Sequence, residues 1–189
     1  MSKNIQTITL NKKNIKNFAA ERNSLLNKSM SDWNLFLDFD EKLSKKINQL
    51  SSKSLNQYAL IRKNYFLGQY IGTDKIIRLV KKGTGIWKRA VHELWIANDP
   101  SSVGTIDSSY IIHNTADNLS DYLVKINNYS TIHARENKKE GKTSSIFKII
   151  FYPIGKFVVT LIKSKNVVFS IMQSLHSFLS WSKLYFGQF

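Results

Sequence analysis

Three carboxylates crowd one short stretch of the sequence, SDWNLFLDFDE, residues 31–41, where Asp38, Asp40 and Glu41 follow the apolar run Leu35-Phe36-Leu37. Carboxylates one residue apart at a strand end project in a geometry suited to a hard divalent cation such as Mg or Mn, with water or phosphate filling the remaining positions. The plainer reading is a solvated turn that caps a helix beginning at Glu41. The apolar strand feeding the acids, in a chain with 28 Lys and Arg against 13 Asp and Glu, raises the first reading.

The elements that must position these acids follow from periodicity. Ile5 to Leu10 alternates apolar and polar residues as a short strand does. FAAERNSLLNKSM, residues 18–30, suits a helix, with Phe18, Leu25 and Leu26 able to share a face and no proline to interrupt it. Leu35-Phe36-Leu37 reads as a buried strand with the acids at its C-terminal end, where ligands bind in open α/β sheets. Residues 41–50 return to helical spacing through Leu43, Ile47 and Leu50. Between Tyr58 and His113 the text is β-rich, in short runs punctuated by Gly and Asn-Asp-Pro turns, as strands returning along a sheet edge would be. From Asn118 the period is helical again, through Leu119, Tyr122, Leu123, Ile126, Tyr129 and His133, closed by the polar ENKKEGKTSS.

The last segment, residues 146–189, carries lysines and no acid, is rich in aromatics, and is interrupted near its start by Pro153 and Gly155. Its longest uncharged run, 166–182, falls short of a membrane span. Two amphipathic helices lying in an anionic membrane interface fit the pattern; packing as ordinary core helices is the alternative.

Bulk composition sets the outer bounds. At 189 residues the chain suits one domain with an appendage, and its 42% hydrophobic and 22% charged content is that of a folded protein. A net charge of +15 draws polyanions, whether nucleic acid, lipid headgroups or phosphorylated ligands. Without cysteine there is no disulfide framework and no thiolate metal site, and the N-terminus lacks the apolar run of a signal peptide, so the cytoplasm is the expected location.

FAAERNSLLNKSMSDWNLFLDFDEKL resembles the segment of bacterial family-two glycosyltransferases of GT-A fold that runs from a helix with an Arg-Asn pair, here Arg22-Asn23, through a Trp-x-Leu-x-Leu-Asp-x-Asp-Glu strand. RKNYFLGQYIG, the DKIIRLVKKGTGIWKRAVHE run, the IIHN strand end and the DYLVKINNYSTIHARE helix look like successive elements of the subgroup that includes lipopolysaccharide-core glucosyltransferases. The resemblance implies an α/β fold: a partial GT-A mixed sheet with helices, followed by C-terminal amphipathic helices. Residues 1–115 would be an incomplete GT-A domain, 116–143 the family's helix and polar linker, and 144–189 a basic, aromatic-rich helical tail.

The implied activity is metal-dependent sugar transfer, with inversion, from a nucleotide-sugar donor to a cell-surface glycan or lipid-linked acceptor. Asp38 and Asp40 would correspond to the metal and donor-binding pair, with Asp40 the more direct ligand. His113 would match a late histidine that reaches the metal, and Glu93, in Val-His-Glu, the base that activates the acceptor. On the residues alone, Glu93 could instead pair with Lys88 or Arg89 on a sheet surface, and His92 and His113 could be hydrogen-bonded sheet residues. Arg62, Lys63 and Arg78 could contact donor phosphates or serve as solvated strand-edge charges.

The family's opening strand–helix–strand, which holds the nucleotide base and ribose, has no counterpart before Asn4, which leaves three expectations: a separate chain supplies that half as a partner, the reading frame is a fragment of a longer one, or the protein is a relic. Where the family often has a Gly-Phe-Leu-Asp-Gly segment this chain has SKNVVFS. A non-catalytic membrane scaffold or a degenerate relic is the main competing function. A nucleic-acid binder ranks below it, because the lysines are spread along the chain, no recognition motif is present and an acidic strand end repels phosphate; no specific nucleic acid is expected as a partner.

Overall fold

The computed structural model describes residues 4–10, 15, 17–50, 54–90, 93–100 and 103–189. His92 and the Val-His half of the Val-His-Glu motif lie outside the described residues. The chain divides into two compact units, Met1–Asn64 with Thr73–Asn114, and Tyr65–Gly72 with Thr115–Phe189. Its architecture is mixed α/β, with four helices, a six-stranded mixed sheet and a two-stranded ribbon among the described residues.

In the first unit, β1 (Ile5–Leu10) leads through α1 (Phe18–Lys28) to β2 (Trp33–Asp38), which pairs parallel to β1 from Ile5↔Trp33 to Leu10↔Asp38. α1 begins at Asn17, whose side chain accepts from the Ala20 amide, and its buried side carries Ala19, Arg22 and Leu26. β2 is buried on both faces. Trp33, Leu35 and Leu37 join Tyr58, Leu60, Leu79 and Ile111 in one core, while Phe36 joins Ile8, Leu26, Val80, Trp87 and Trp95 in a second core beneath α1. Asp38, two residues after Phe36, continues the α1-facing side of the strand.

The sheet order is β1-β2-β5-β4-β8-β3, with β3 Glu41–Leu43, β4 Gln57–Phe66, β5 Gln69–Lys81 and β8 Gly104–Ala116. β2 and β3 are therefore separated by three strands in the sheet, yet only Phe39 and Asp40 connect them. Two residues reach about 7 Å when extended, so the sheet must curl until the β3 edge comes round to the C-terminal end of β2. β3 is held there by antiparallel pairing to β8, with Glu41 opposite His113. The ribbon of β6 (Gly85–Lys88) and β7 (Leu94–Ala97) brings Trp87 and Trp95 together under α1, with Trp87 edge-on to Phe36.

Three expectations change. Residues 41–50 are not helical: three residues enter β3, and hydrogen bonds among Ser44, Lys45 and Ser109 hold the chain against β8. Ile47 still reaches the core and Leu43 and Leu50 pack against it, so the apolar positions are used without the helix. Within the β-rich region β4, β5 and β8 are interior strands of the six-stranded sheet rather than edge strands, with β4 and β5 joined by a tight turn at Leu67 and Gly68 (φ 49° and 76°), and only β6 and β7 stand apart as a ribbon.

The third change is in the second unit, where α3 (Ile146–Ser164) runs unbroken through Pro153 and Gly155. Here α2 (Leu119–Lys139) and α4 (Val167–Phe186) pack on Phe66 and Ile71 of the β4–β5 turn, through Tyr122 and Ile126 from α2 and Phe169, Met172, Leu175 and Leu179 from α4. Lys183 ties α4 to α2, donating to the Asn127 carbonyl and amide oxygens, Ser130 Oγ and Thr131 Oγ1 at 2.7–2.8 Å.

Phe36 is fully buried between α1 and the ribbon. Phe36→Ala should cost about 3–5 kcal/mol in urea unfolding, whereas Met30→Ala, at a position 97% exposed, should stay within about 0.5 kcal/mol. Equal effects would place the core elsewhere.

Candidate functional site

Two of the three acids of the opening stretch, Asp38 and Glu41, are counterions to buried arginines, while Asp40 faces His113. Arg22 projects from the buried side of α1 with no solvent exposure, its guanidinium lying 5.0 Å from the Trp87 ring and 5.5 Å from Phe36. Its Nη2 donates to Asp38 Oδ1 at 2.8 Å and to Glu93 Oε1 at 2.7 Å, and Nε donates to the same Glu93 oxygen at 3.0 Å. The neighbouring Asn23 docks the helix by exchanging two 2.9 Å bonds with the Trp87 backbone.

Arg78 enters from β5 on the same sheet face as Val80. Its Nη2 donates to Asp38 Oδ2 at 2.8 Å and Glu41 Oε1 at 2.9 Å, while Nη1 lies 3.4 Å from Glu93 Oε1. Glu41, whose side chain is fully buried, also accepts from Arg62 Nη1 at 3.0 Å and, through Oε2, from the Asp38 amide at 3.0 Å. Arg62 then grips Asp74 with both Nε and Nη2, at 3.0 and 2.6 Å. Asn64 donates to Asp74 and presents its oxygen to His113 Nδ1 at 2.7 Å, and His113 Nε2 stands 3.6 Å from Asp40 Oδ2.

One continuous chain of polar contacts therefore runs Glu93, Arg22, Asp38, Arg78, Glu41, Arg62, Asp74, Asn64, His113, Asp40. It contains five carboxylates against three guanidiniums, so with a neutral imidazole it carries two excess negative charges. Burial pulls Arg22 below the usual arginine range, reinforced by Arg78 and opposed by Asp38 and Glu93. Burial pulls on Arg78 and Arg62 as well, but there the surrounding carboxylates outweigh it and the net shift is upward. Burial alone would raise the Asp74 carboxyl; the bond and charge of Arg62, the Asn64 amide and the charge of His113 hold it below 3.8.

The structure gathers Asp38, Asp40, Arg62, Arg78, Glu93 and His113 into this one network, and leaves out Lys63. Glu93 pairs with Arg22 and Arg78, far along the chain, rather than only with a neighbour on its own ribbon. Its hydrogen bonds from Arg22 and Arg78 fall on Oε1, leaving Oε2 without a hydrogen bond among the described residues. Arg62 and Arg78 spend donors on carboxylates, and Lys63 lies over the Tyr110 ring at 4.0 Å. Among the described residues no group of three or more His, Asp or Glu is arranged to cage a metal unaided.

Sequence reading passed over Arg22 as a site residue, along with Glu41 as a bridge, Asn64 and Asp74. Arg22 left a trace: it sits four residues after Phe18 and four before Leu26, on the apolar stripe of α1, where a charge survives only with a buried counterion. Asn64 and Asp74 left none, because only the β4–β5 pairing brings them together.

The chain is similar to the lipopolysaccharide core biosynthesis glycosyltransferase LpsC of Rhizobium meliloti (strain 1021), 21% identical over 188 residues, an alignment that covers 89% of this chain and 69% of that protein. No family model matches the chain.

Arg78 touches three carboxylates, so Arg78→Ala should cost about 3–5 kcal/mol in denaturant unfolding, the charge of leaving them short of a partner. Arg78→Lys should restore only part of it, since an ammonium cannot reproduce the fork; full rescue by Lys would show that charge alone suffices. The advantage of the wild type over Asp74→Asn should be fully present above pH 3.8 and shrink as pH falls below that value, because the unfolded chain takes up the proton first. An unchanging gap through acid unfolding would mean that the carboxylate's charge does not matter.

Proposed function

We propose that this chain carries the catalytic and acceptor-side part of a metal-dependent, inverting glycosyltransferase of GT-A type, moving a sugar from a nucleotide-sugar donor to a cell-surface glycan or lipid-linked acceptor. The observation that carries the reading is that one buried guanidinium, Arg22, holds both Asp38 at the end of β2 and Glu93 before β7. A carboxylate meant to receive a proton is thereby fixed against a strand-end acid although the two are far apart in sequence. The distant likeness to LpsC, a glycosyltransferase, supports the same class.

Transfer breaks the bond from the anomeric carbon to the diphosphate and forms one to the acceptor oxygen, whose proton must leave, through an oxocarbenium-like state. Glu93 receives that proton at Oε2, while Arg22 and Arg78 hold Oε1 and fix the direction in which the free oxygen points.

A divalent cation, Mg or Mn, supplies neutralisation of the departing diphosphate when bound. The residues fit it at one end of the network. Asn64 donates to Asp74, so its oxygen faces His113 Nδ1, which must carry a proton, and Nε2 turns towards Asp40. Asp40 and His113 would hold the cation, with substrate oxygens and water completing the set. Asp38 fits less well as a direct ligand, because Arg22 and Arg78 each take one of its oxygens.

The rival reading makes the network a structural staple of a non-catalytic scaffold, which the full engagement of Asp38, Glu41 and Asp74 by arginines favours. The two part on ligand binding. Under the transferase reading, Mn should strengthen binding of UDP or GDP by calorimetry, Asp40→Ala should abolish that dependence, and Glu93→Gln should spare binding while lowering transfer by about 10²–10⁴-fold. Unchanged diphosphate affinity in Asp40→Ala would remove the cation from this site, and an active Glu93→Gln enzyme would assign the base to another group.

A further inference from the structure

The helices α3 and α4 bury the wrong residues for a pair packed in water. From α3 the buried positions are Pro153, Thr160 and Ser164, and from α4 they are Ser170 and Ser180. The outer side of α3 instead presents Phe147, Ile150, Phe151, Ile154, Val158 and Ile162, with Ile162 71% exposed. Phe147, Phe151, Ile154, Val158 and Ile162 recur at three- and four-residue intervals with Ile150 beside them, so they form one stripe along the helix. Val167, Val168 and Ile171 extend the exposed apolar surface onto α4.

The inward hydroxyls are satisfied locally. Ser164 Oγ donates to the Thr160 carbonyl, Ser170 to Asn166, Ser180 to His176, and Ser174 crosses from α4 to the Pro153 carbonyl, which lies beside the site where proline removes a backbone donor. Small hydroxyl residues at a helix seam with large aliphatic residues outside is the arrangement of helices whose surroundings are apolar. An exposed stripe of this size is otherwise a liability for a protein in water.

Charge selects the surroundings. Residues 146–189 contain five lysines and no acid. Lys156, Lys163 and Lys165 are exposed, and Lys148 lies 5.1 Å from the Trp181 ring. A second copy of the chain docked through these helices would find no carboxylate among residues 146–189 to answer its lysines. Among the described residues no helix is long and apolar enough to cross a membrane, and Lys163, Lys165 and Asn166 at the α3–α4 turn would be costly to drive through hydrocarbon.

We propose that the outer face of the α3–α4 hairpin is a membrane-docking surface that lies in the plane of an anionic bilayer, with the Phe147-to-Ile162 stripe in the acyl boundary and the lysines at the phosphate level. This rests on the burial pattern of the second unit and is independent of the transferase reading.

Cosedimentation of the full-length protein with phosphatidylcholine vesicles, with and without phosphatidylglycerol, tests it. Binding should require the anionic lipid and weaken with added salt. It should fall about fivefold for each of Lys156→Gln, Lys163→Gln and Lys165→Gln, and disappear in Phe151→Glu with Ile162→Glu, exposed substitutions whose helical circular dichroism should match the wild type. Undiminished binding by that double variant would overturn the assignment of the surface. A concentration-dependent dimer that the double variant dissolves, with no vesicle binding by the wild type, would overturn it in favour of a second copy.

Discussion

A guanidinium with no access to water must be answered by carboxylates, and in this protein that requirement falls on Arg22 and Arg78. Arg22 sits within the second core, against Phe36 and Trp87, where an unpaired charge would cost several kcal/mol, on the order of the effective penalty for a buried ion. Asp38 and Glu93 meet that charge, and meeting it constrains three separate pieces of chain: the face that α1 turns inward, the end of β2, and the approach to β7. Arg78 adds β5 and the start of β3 to the same constraint through Glu41. Hydrophobic contacts there would tolerate small slips of register; forked hydrogen bonds at 2.7–3.0 Å do not.

The curl of the sheet and the network depend on each other. Two residues join strands that lie far apart in the sheet order, so Asp38 and Glu41 must come close, and their like charges would repel without Arg78 between them. The Asp38 amide donating to Glu41 closes the same turn from the backbone side. Past Glu41 the polar relay continues through Arg62, Asp74 and Asn64 to the imidazole of His113, so that the imidazole is oriented by partners on β4 and β5, while the Asp40 carbonyl is held by the Asn114 amide of β8. Side chains carried on paired strands and braced this way are placed with the rigidity that proton transfer requires.

The second unit follows the opposite rule. Its α2–α4 seam is an aqueous one, with Phe66, Tyr122, Ile126 and Phe169 inside and Lys183 pinning the two helices. The Tyr122 hydroxyl in that seam is pushed up to about 12 by burial, with the Gln173 bond opposing. The α3–α4 seam, one helix further out, has hydroxyls inside and aliphatics outside. α4 thus carries two kinds of contact surface on one twenty-residue helix, and its mixture of Ser, His, Phe and Leu reflects both.

Local periodicity by itself determined much of the framework. The alternation of Ile5 to Leu10 is β1, the stripe from Phe18 is α1, the apolar run before the acids is β2, and the heptad-like spacing from Leu119 is α2. The lysine-rich, acid-free composition marked the last two helices as unusual, and Asp38 and Asp40 drew notice as acids at a strand end, whereas Glu93 and His113 were singled out only by the family resemblance. What tertiary structure decided was pairing. Residues 41–50 have helical spacing, but a strand partner in β8 offered their backbone donors a better use, and propensity of a few tenths of a kcal/mol per residue yields to that. Pro153 breaks helices in isolation, yet α3 passes through it with the Pro153 carbonyl engaged by Ser174 across the seam. The role of the acids was likewise invisible in one dimension: a carboxylate's partner is whichever cation the fold brings within 3 Å, and Arg22, Arg62 and Arg78 come from a helix and two strands that only the curled sheet assembles around them.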